Sequence, residues 1–323
     1  MQEATKPKVL ILTTGGTIAS RTNAPMIDGP ALVQAVPRLL NYAQVEVEEF
    51  SRIGSSQMMP GHWLRLAKRI NDLFQKDKEL TGIIITHGTD TMEETAFFLN
   101  LTVKSKKPVV MTGSMRSANE TSADGPANLL NAVRVVVNKE AIGKGVLIVL
   151  NEDISAARDV WKTDNRRVHT FQSPSFGHLG VVDPDTVLFC RSPVRLHTFQ
   201  CIFDVANVDR LPNVEILTDF TGIDSSLVIT FGNRKSDGLV VRTFAGGRMS
   251  AGMRAGLAAI AEKNIPTVIT SRVPNGRIIG HPDYGFPAVV AHDLPDNKAR
   301  ILLILALIQT QDLEKIQRIF KAY

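Results

Sequence analysis

Two glycine-containing turns of this 323-residue sequence carry threonines that could do chemistry on a small polar substrate. An apolar run leads into the turn 13–17 (TTGGT), and a second apolar run leads into the turn 86–90 (THGTD). A threonine hydroxyl is a poor nucleophile unless a base or a charged group activates it. Thr17 and Thr89, the latter with Asp90 beside it, therefore indicate a pair of hydroxyl nucleophiles.

Each of these residues also has a purely structural interpretation. The glycines before Thr17 suit any tight turn from a strand to a helix, because glycine tolerates positive φ angles and close backbone approach. Asp90 is placed to cap a helix that starts near Thr91, and a capping role is compatible with binding a ligand amine. For His87, packing in the core is favoured over a role as a general base.

A lysine and two serines extend the candidate site. Lys162 is by default a solvated surface cation; a functional lysine would lie beside a hydroxyl and a carboxylate, where burial would lower its pKa toward about 7–8. Ser55 and Ser56 follow another strand, and they are either simple turn residues or hydroxyls that hold a substrate carboxylate.

Strands and helices that alternate along the first 150 residues are expected to position these groups. The apolar runs are typical of strands buried on both faces, as in a parallel sheet. Ligands of such α/β proteins bind beyond the carboxyl ends of the strands. We therefore predict an α/β fold with a doubly wound parallel sheet. The predicted strands are 9–12, 45–49, 82–86, 108–112 and 146–150, and the predicted helices are 29–40, 63–75, 92–101 and 126–138.

The pattern predicts a second, smaller α/β domain towards the C-terminus. An N-terminal catalytic domain is expected over 1–190, a linker over 191–212 and the C-terminal domain over 213–323. Segment 225–233 is ambiguous, because its residues favour a strand while the alternation requires a helix. The other C-terminal predictions are strands 238–242 and 266–270 and helices 250–263, 297–308 and 312–321.

Composition narrows the classes of partner. The hydrophobic fraction is 44% and the charged fraction is 21%, as in ordinary globular proteins. No apolar run approaches the roughly 20 residues that span a bilayer, so we expect no membrane partner. The net charge is +5, but the basic residues are scattered rather than clustered on one face. We therefore expect no nucleic-acid partner either.

The cysteines and the N-terminus leave the compartment open. Cys190 and Cys201 are expected to be reduced structural thiols, with a disulfide as the alternative in an oxidising compartment. No CxxC motif or Cys/His cluster indicates a metal site. The polar start of the chain has no apolar signal core. This fits a cytoplasmic protein or a mature exported one.

Taken together, these residues resemble the bacterial-type L-asparaginase family over nearly the whole chain, and the secreted high-affinity type more than the cytoplasmic type. The likeness to the secreted type slightly favours a periplasmic or secreted protein whose signal has been removed. The segments that carry the resemblance are 14–19 (TGGTIA), 87–91 (HGTDT), 122–126 (SADGP), 158–162 (RDVWK), 271–274 (SRVP) and the C-terminal helical tail.

The resemblance implies hydrolysis of L-asparagine to L-aspartate and ammonia, without metal or organic cofactor. It also implies a homotetramer made of two intimate dimers, with each active site completed by the dimer partner. Thr17 would be the nucleophile, and Thr89, Asp90 and Lys162 would form a second catalytic group. For the substrate, Ser55 and the turn at Thr89 and Asp90 would hold the α-carboxylate, Asp90 would bind the α-ammonium, and backbone near Ser114 would contact the amide.

The chain departs from the family pattern at several positions. The lid-like loop 20–28 is short and contains no tyrosine, and Ser56 stands where many members have glutamine. Asp283 is the acid nearest to the position of a glutamate that reaches the neighbouring site, and it serves either that role or the turn that follows it. Ser105 matches one position of the cysteine pair usual in the secreted type, and the glycine turn 245–248 lacks the usual asparagine.

Three other functions compete with an asparaginase. A glutaminase-asparaginase would act almost equally on glutamine. The amidase subunit of a tRNA-dependent amidotransferase shares these motifs, but it usually has an N-terminal extension. A non-catalytic binder of small molecules would release no ammonia.

Overall fold

The computed structural model describes residues 5–20, 27–280 and 282–323. The chain forms two compact units, the first ending at Ala206 and the second running from Asn207 to Tyr323. Both are α/β, and the N-terminal unit is larger, which confirms the predicted fold class. The segment 191–206 packs within the first unit, where Cys201, Phe203 and Val205 are buried.

Unit 1 alternates strands and helices up to β5 and then consists mainly of short strands. Its elements are β1 (Lys8–Thr13), α1 (Gly29–Gln34), β2 (Gln44–Glu49), α2 (Pro60–Lys76), β3 (Leu80–Thr86), α3 (Met92–Thr102), β4 (Val109–Thr112), α4 (Gly125–Val136), β5 (Val146–Leu150), β6 (Asp153–Ala156), β7 (Trp161–Lys162), β8 (Phe171–Gln172), β9 (Gly180–Val182) and β10 (Val187–Phe189).

Within the described part of unit 1, eight strands form one sheet in the order β10-β9-β6-β5-β4-β3-β1-β2. Strands β2, β1, β3, β4 and β5 are parallel. The chain moves from β1 to β2 on one side and then crosses to β3 on the other side, so the winding reverses between β1 and β3. Ligands of open α/β sheets bind in the crevice at such a reversal. Thr13 pairs with Thr86 in the register of β1 and β3, so both threonine turns start at this crevice.

The parallel strands are apolar because both of their faces are covered. Ile83, Ile84 and Ile85 of β3 have no exposed surface, and all of β4 and β5 is buried. An uninterrupted apolar run is the pattern expected for such strands. The core thus holds the carboxyl ends of β1 and β3 in a fixed register, from which the turns emerge.

The sheet continues into an antiparallel region that the sequence analysis did not predict. The segment after β5 forms a hairpin in which β6 pairs antiparallel with β5. Asn151 and Glu152 make the turn with φ angles of 49° and 69°, the left-handed conformation of tight hairpins. Strands of two to four residues show too little alternation to be read from sequence.

The predicted helix 29–40 is wrong in its extent. Helix α1 ends at Gln34, and a separate 3₁₀ turn runs from Pro37 to Asn41. Proline donates no backbone hydrogen bond and disfavours helical geometry in the residue before it. Val36 accordingly has φ −131° and ψ 67°.

The elements of unit 2 are β11 (Val214–Thr218), α5 (Ser225–Gly232), β12 (Gly238–Thr243), α6 (Ala251–Ile260), β13 (Thr267–Ser271), β14 (Val289–Val290), α7 (Asp296–Gln309) and α8 (Leu313–Ala322). Among its described residues, the strands form a parallel sheet with the order β11-β12-β13-β14. The ambiguous segment is helical: Asp224 accepts the Ser226 N–H at 2.8 Å and caps α5, and Gly256 of α6 packs against Val228. Packing therefore overrides strand propensity.

Two expectations about the chain as a whole concern membranes and thiols. Among the residues that the structure describes, every helix is too short or too polar to cross a bilayer. Cys190 is an exposed free thiol and Cys201 is a buried one. The disulfide alternative therefore does not hold in this structure.

Candidate active site

The two threonine turns touch each other through their glycines. A Cβ atom at Gly16 would overlap the N and Cα atoms of Gly88, and one at Gly88 would lie 2.6 Å from the Ser55 hydroxyl oxygen. Gly16 also has a φ of 88°, which residues with side chains rarely adopt. Each glycine directly precedes its threonine, so this backbone contact brings the half-buried Thr17 and the buried Thr89 to the same crevice.

Lys162 connects the Thr89 hydroxyl to the Asp90 carboxylate. Its Nζ atom donates to Thr89 Oγ1 at 3.0 Å and to Asp90 Oδ1 at 2.9 Å. The Lys162 side chain is only 18% exposed, whereas that of Asp90 is 63% exposed. Lys162 is therefore not the solvated cation of its default interpretation, and the Asp90 carboxylate remains open to a ligand.

A short hairpin and a distant glutamate position Lys162. Strand β7 pairs antiparallel with β8, where Lys162 lies opposite Phe171. The Lys162 backbone N–H donates to Glu93 Oε2 at 2.5 Å, and Glu93 lies in the first turn of α3. Thr89 and Asp90 lie just before the same helix. Helix α3 therefore positions both Lys162 and the two residues that Lys162 contacts.

Ser55 is part of the crevice, and Ser56 is its solvent-exposed neighbour. Both lie in a 3₁₀ turn after β2, with Ser55 buried and Ser56 exposed. The Ser55 hydroxyl accepts the Asp90 N–H at 3.1 Å, and its carbonyl accepts the Thr91 hydroxyl at 2.9 Å. Because the Ser55 hydroxyl oxygen accepts the Asp90 N–H, its own hydrogen points away from Asp90 N and can be donated to another acceptor. The N-cap residue of α3 is Thr91, and its side chain makes no capping hydrogen bond.

Ser114 lies close to the Thr17 turn. A Cβ atom at Gly125 would lie 2.9 Å from Ile18 Cγ1 and 3.5 Å from Ser114 Cβ, so this glycine leaves room for both neighbours. The Asp124 carboxylate accepts the backbone N–H groups of Met115 and Arg116 at 3.0 and 2.9 Å. The loop that contains Ser114 is therefore held in one conformation.

His87 is a buried, neutral residue that fixes the Gly88 peptide. The ring has no exposed surface. Its Nδ1 lies 2.7 Å from Gly88 O, and its Nε2 lies 3.0 Å from the Thr95 hydroxyl, which also accepts Trp63 Nε1–H at 3.0 Å. This is consistent with Nδ1–H donating to Gly88 O and Nε2 accepting from Thr95. The preference for a packing role over a general base agrees with this geometry.

Burial lowers the pKa of His87 from 6.5 to about 4, and the bond to Gly88 opposes the shift. Between these values the unfolded chain binds a proton that the folded chain does not, so stability is lost as the pH falls. We expect a loss of about 3 kcal/mol in the free energy of unfolding between pH 6.5 and pH 4 from this residue alone. Urea unfolding of the wild type and of His87→Gln at several pH values measures it. The variant should lack this part of the slope, and equal slopes would contradict the assignment.

An open depression beside Lys162 carries charges of both signs. Asp164 Oδ1 accepts the N–H groups of Arg166 and Arg167 at 2.7 and 2.8 Å, which holds their loop at the rim. A zwitterionic ligand could meet a carboxylate and cationic groups here. The depression is lined by Asp90, Glu93, Lys162, Thr163, Asp164, Asn165, Arg166 and Arg167.

Two parts of the sequence-based hypothesis concern other segments. The short lid without tyrosine falls mostly on residues 21–26, which lie outside the described residues. In unit 2, the exposed Asp283 accepts the Gly285 N–H at 2.9 Å, as expected for a residue that starts a turn. This hydrogen bond supports the interpretation that Asp283 starts a turn.

Sequence reasoning missed the residues that position the site. Glu93, Thr95 and Trp63 were predicted only as parts of helices, and Asp124 was noted only as part of a family-like segment. Trp63 offered one signal: a buried indole N–H requires an acceptor. The other contacts join residues far apart in the chain, and no periodicity reports them.

Comparisons with known proteins find family matches for both units of the chain. Residues 8–195 match the family model "Asparaginase, N-terminal", and residues 213–320 match "Glutaminase/Asparaginase C-terminal domain". Together these matches cover most of the chain, in the order in which unit 1 and unit 2 follow each other.

Individual relatives match over nearly their full lengths. A probable periplasmic L-asparaginase of Haemophilus influenzae is 41% identical over 98% of this chain and 93% of that protein. A glutaminase-asparaginase of Pseudomonas fluorescens is 37% identical over 98% of this chain and 90% of that protein. The crystal structure of a probable cytoplasmic L-asparaginase from Campylobacter jejuni aligns with a TM-score of 0.94 and 42% identity, over 98% of this chain and all of that one.

Proposed function

The chain belongs to the asparaginase family, and from this membership we propose that it is an amidohydrolase that converts L-asparagine to L-aspartate and ammonia. The observation that carries the proposal is the position of Lys162 Nζ, 3.0 Å from Thr89 Oγ1 and 2.9 Å from Asp90 Oδ1. The Gly16–Gly88 contact brings Thr17 to the same crevice. Two hydroxyls, an amine and a carboxylate are groups that amide hydrolysis can use.

We assign the exposed Asp90 carboxylate to the α-ammonium group of the substrate. The α-carboxylate would lie at Ser55 and the turn before α3, where a hydroxyl proton and backbone N–H groups favour an anion. Backbone near Ser114 would contact the amide end, next to the Thr17 turn. Ser56 is assigned a supporting contact at the ammonium end.

In the proposed reaction, Thr17 Oγ1 attacks the side-chain amide carbon, and ammonia leaves as an ester forms on Thr17. Water then attacks the ester carbon and releases aspartate. Thr89 and Lys162, which are hydrogen-bonded to each other and lie beside Asp90, would relay the protons. In the first step the proton of Thr17 Oγ1 would pass to the leaving amide nitrogen, and in the second step a proton of the attacking water would return to Thr17 Oγ1. The scheme needs no bound metal or organic cofactor.

Ammonia release tests this proposal. Asparagine, glutamine and succinamic acid, which lacks the α-ammonium group, are supplied separately without tRNA. Rapid release from asparagine and slow release from succinamic acid are expected. Absence of release from both amino acids would favour the non-catalytic binder, and release that requires tRNA would favour an amidotransferase subunit.

Broad action on glutamine is the second candidate, favoured by the relative named glutaminase-asparaginase. We expect asparagine to be preferred, because Ser56 is smaller than the glutamine common at this position and provides one fewer contact for a longer, displaced substrate. Ser56→Gln should raise kcat/KM for glutamine relative to asparagine by about tenfold, the value of one hydrogen bond to a charged group.

The matched control for this prediction is Ser56→Ala, which removes the hydroxyl without adding an amide. It should leave relative glutamine turnover close to that of the wild type. An unchanged ratio in Ser56→Gln would show that specificity is set elsewhere. Because Ser56 is exposed, neither substitution disturbs the core.

We further propose assembly as a homotetramer of two dimers and a periplasmic or secreted location. The tetramer rests on the family-like C-terminal region, and sizing chromatography during turnover tests it. An active monomer would overturn it. The location rests on the relative named periplasmic, while the solved structure of similar identity is named cytoplasmic. Cell fractionation decides between the two.

A further inference from the structure

Two histidines and an aspartate from three segments of unit 1 converge away from the threonine turns. His169 Nε2 lies 3.0 Å and His178 Nε2 lies 3.5 Å from the same oxygen, Asp153 Oδ2. One ligand atom from each side chain lies within 4.8 Å of the others. We propose that this cluster is a binding site for a divalent cation of the zinc type. It does not depend on the proposed function.

The donor set selects the class of cation. Two imidazole nitrogens and one carboxylate oxygen, with water as a fourth ligand, are a common zinc environment. Magnesium and calcium prefer all-oxygen sites. With metal–ligand bonds of about 2.0–2.1 Å, neighbouring ligands of a tetrahedral site lie about 3.4 Å apart. The two measured separations bracket this value, so an ion fits with small rotations of the side chains.

A hydroxyl beside the cluster can set the histidine tautomer that a metal requires. Ser155 Oγ lies 2.8 Å from His178 Nδ1, and Ser155 is buried. Two residues after Asp153 on β6, it projects from the same face of the sheet. A bond from Nδ1–H to this hydroxyl leaves the Nε2 lone pair directed at the Asp153 side. Such outer contacts orient metal-binding histidines and strengthen their binding.

The scaffold is rigid on one side of the cluster and accessible on the other. Strand β6 pairs with β9, and the Leu179 N–H donates to Ile154 O at 2.7 Å, which holds Asp153 and His178 next to each other. His169 comes from the connection between β7 and β8, and its side chain is 59% exposed. An ion would therefore enter from solvent and join strand β6 to the hairpin that carries Lys162.

The competing interpretation is that the two imidazoles only donate Nε2–H bonds to Asp153. The sequence analysis found no metal motif, because these three residues are spaced 16 and 9 positions apart. Their geometry serves either arrangement, and a direct binding measurement separates them.

The test is calorimetric titration of the untagged full-length protein with ZnCl₂ after chelator treatment. We expect one ion per chain. Asp153→Asn, His169→Gln and His178→Gln should each weaken binding by about 100-fold, and Ser155→Ala by about 10-fold. As a second readout, excess zinc should raise the unfolding temperature of the wild type but not of the three ligand variants.

The matched control is His62→Gln. His62 is a half-buried histidine at the start of α2 that accepts the Met59 N–H at 3.0 Å, and its loss should leave zinc affinity unchanged. Circular dichroism verifies that each variant is folded. Absence of zinc binding to the wild type, or equal affinity in the wild type and the three ligand variants, would overturn the proposal.

Discussion

Removing the hydroxyl of Thr17 or of Thr89 is expected to lower kcat for asparagine by about 10³-fold or more. The two residues follow glycines that touch each other, so their hydroxyls are proposed to act as one unit. Groups that act as a unit are not additive, and losing one costs nearly as much as losing both. Thr17→Ala, Thr89→Ala and the double variant should therefore have similar residual rates of ammonia release.

A nearby hydroxyl provides the control for this result. Thr14 lies in the same turn as Thr17, but its hydroxyl donates to Thr86 O at 2.9 Å and is buried. Thr14→Val should lower the unfolding temperature and largely retain kcat. Rates near the wild-type value in Thr17→Ala would rule out this residue as the nucleophile, and additive losses in the double variant would rule out a cooperating pair.

Replacing Lys162 should lower kcat by a comparable factor. Comparing two replacements shows whether Lys162 transfers protons or acts only as a charge. Lys162→Met removes the amine that bonds to Thr89 and Asp90 and should abolish measurable turnover. Lys162→Arg keeps the positive charge but cannot release a proton at usable pH, so it should not restore activity. Steady-state kinetics over a range of pH measure both variants.

Lys144→Arg is the matched control for these substitutions. The Lys144 ammonium donates to the Ser192 hydroxyl at 2.6 Å, in an exposed part of unit 1, so this exchange should leave kcat unchanged. Substantial activity in Lys162→Arg would instead mean that Lys162 acts only as a charge. Since its backbone N–H bonds to Glu93, the side-chain change leaves that contact in place.

The parallel half of the fold could be predicted because its signals are local. Uninterrupted apolar runs mark β1, β3 and β5, and glycines mark the turns that follow the first two. Helix α5 was ambiguous because its outcome depends on packing between Val228 and Gly256. The predicted helix 29–40 stops before Pro37, because the local effect of proline outweighs the apolar periodicity of the segment.

Some residues of the candidate site likewise have a local signal in the sequence, and others are positioned only by long-range contacts. Thr17, Thr89 and Asp90 stand out by their position after buried strands. The place of Lys162 depends instead on a two-residue strand and on Glu93, which is 69 positions away. No repeat or periodicity encodes such a contact. For the same reason, sequence alone suggested packing for His87 but not the Trp63–Thr95–His87 network that accomplishes it.

The contact between Gly16 and Gly88 also limits how this protein can evolve. A residue added at one side of an interface is often accommodated by trimming its neighbour, but neither glycine has a side chain to trim. A Cβ atom at Gly16 meets the main chain of Gly88, so no substitution of Gly88 can relieve it and a change at Gly16 is expected to be harmful in any genetic background. A Cβ atom at Gly88 meets the Ser55 side chain first, so only there can a second substitution compensate. The spacing of the two hydroxyls is set by main chain against main chain, and selection can alter it only by rebuilding both turns together.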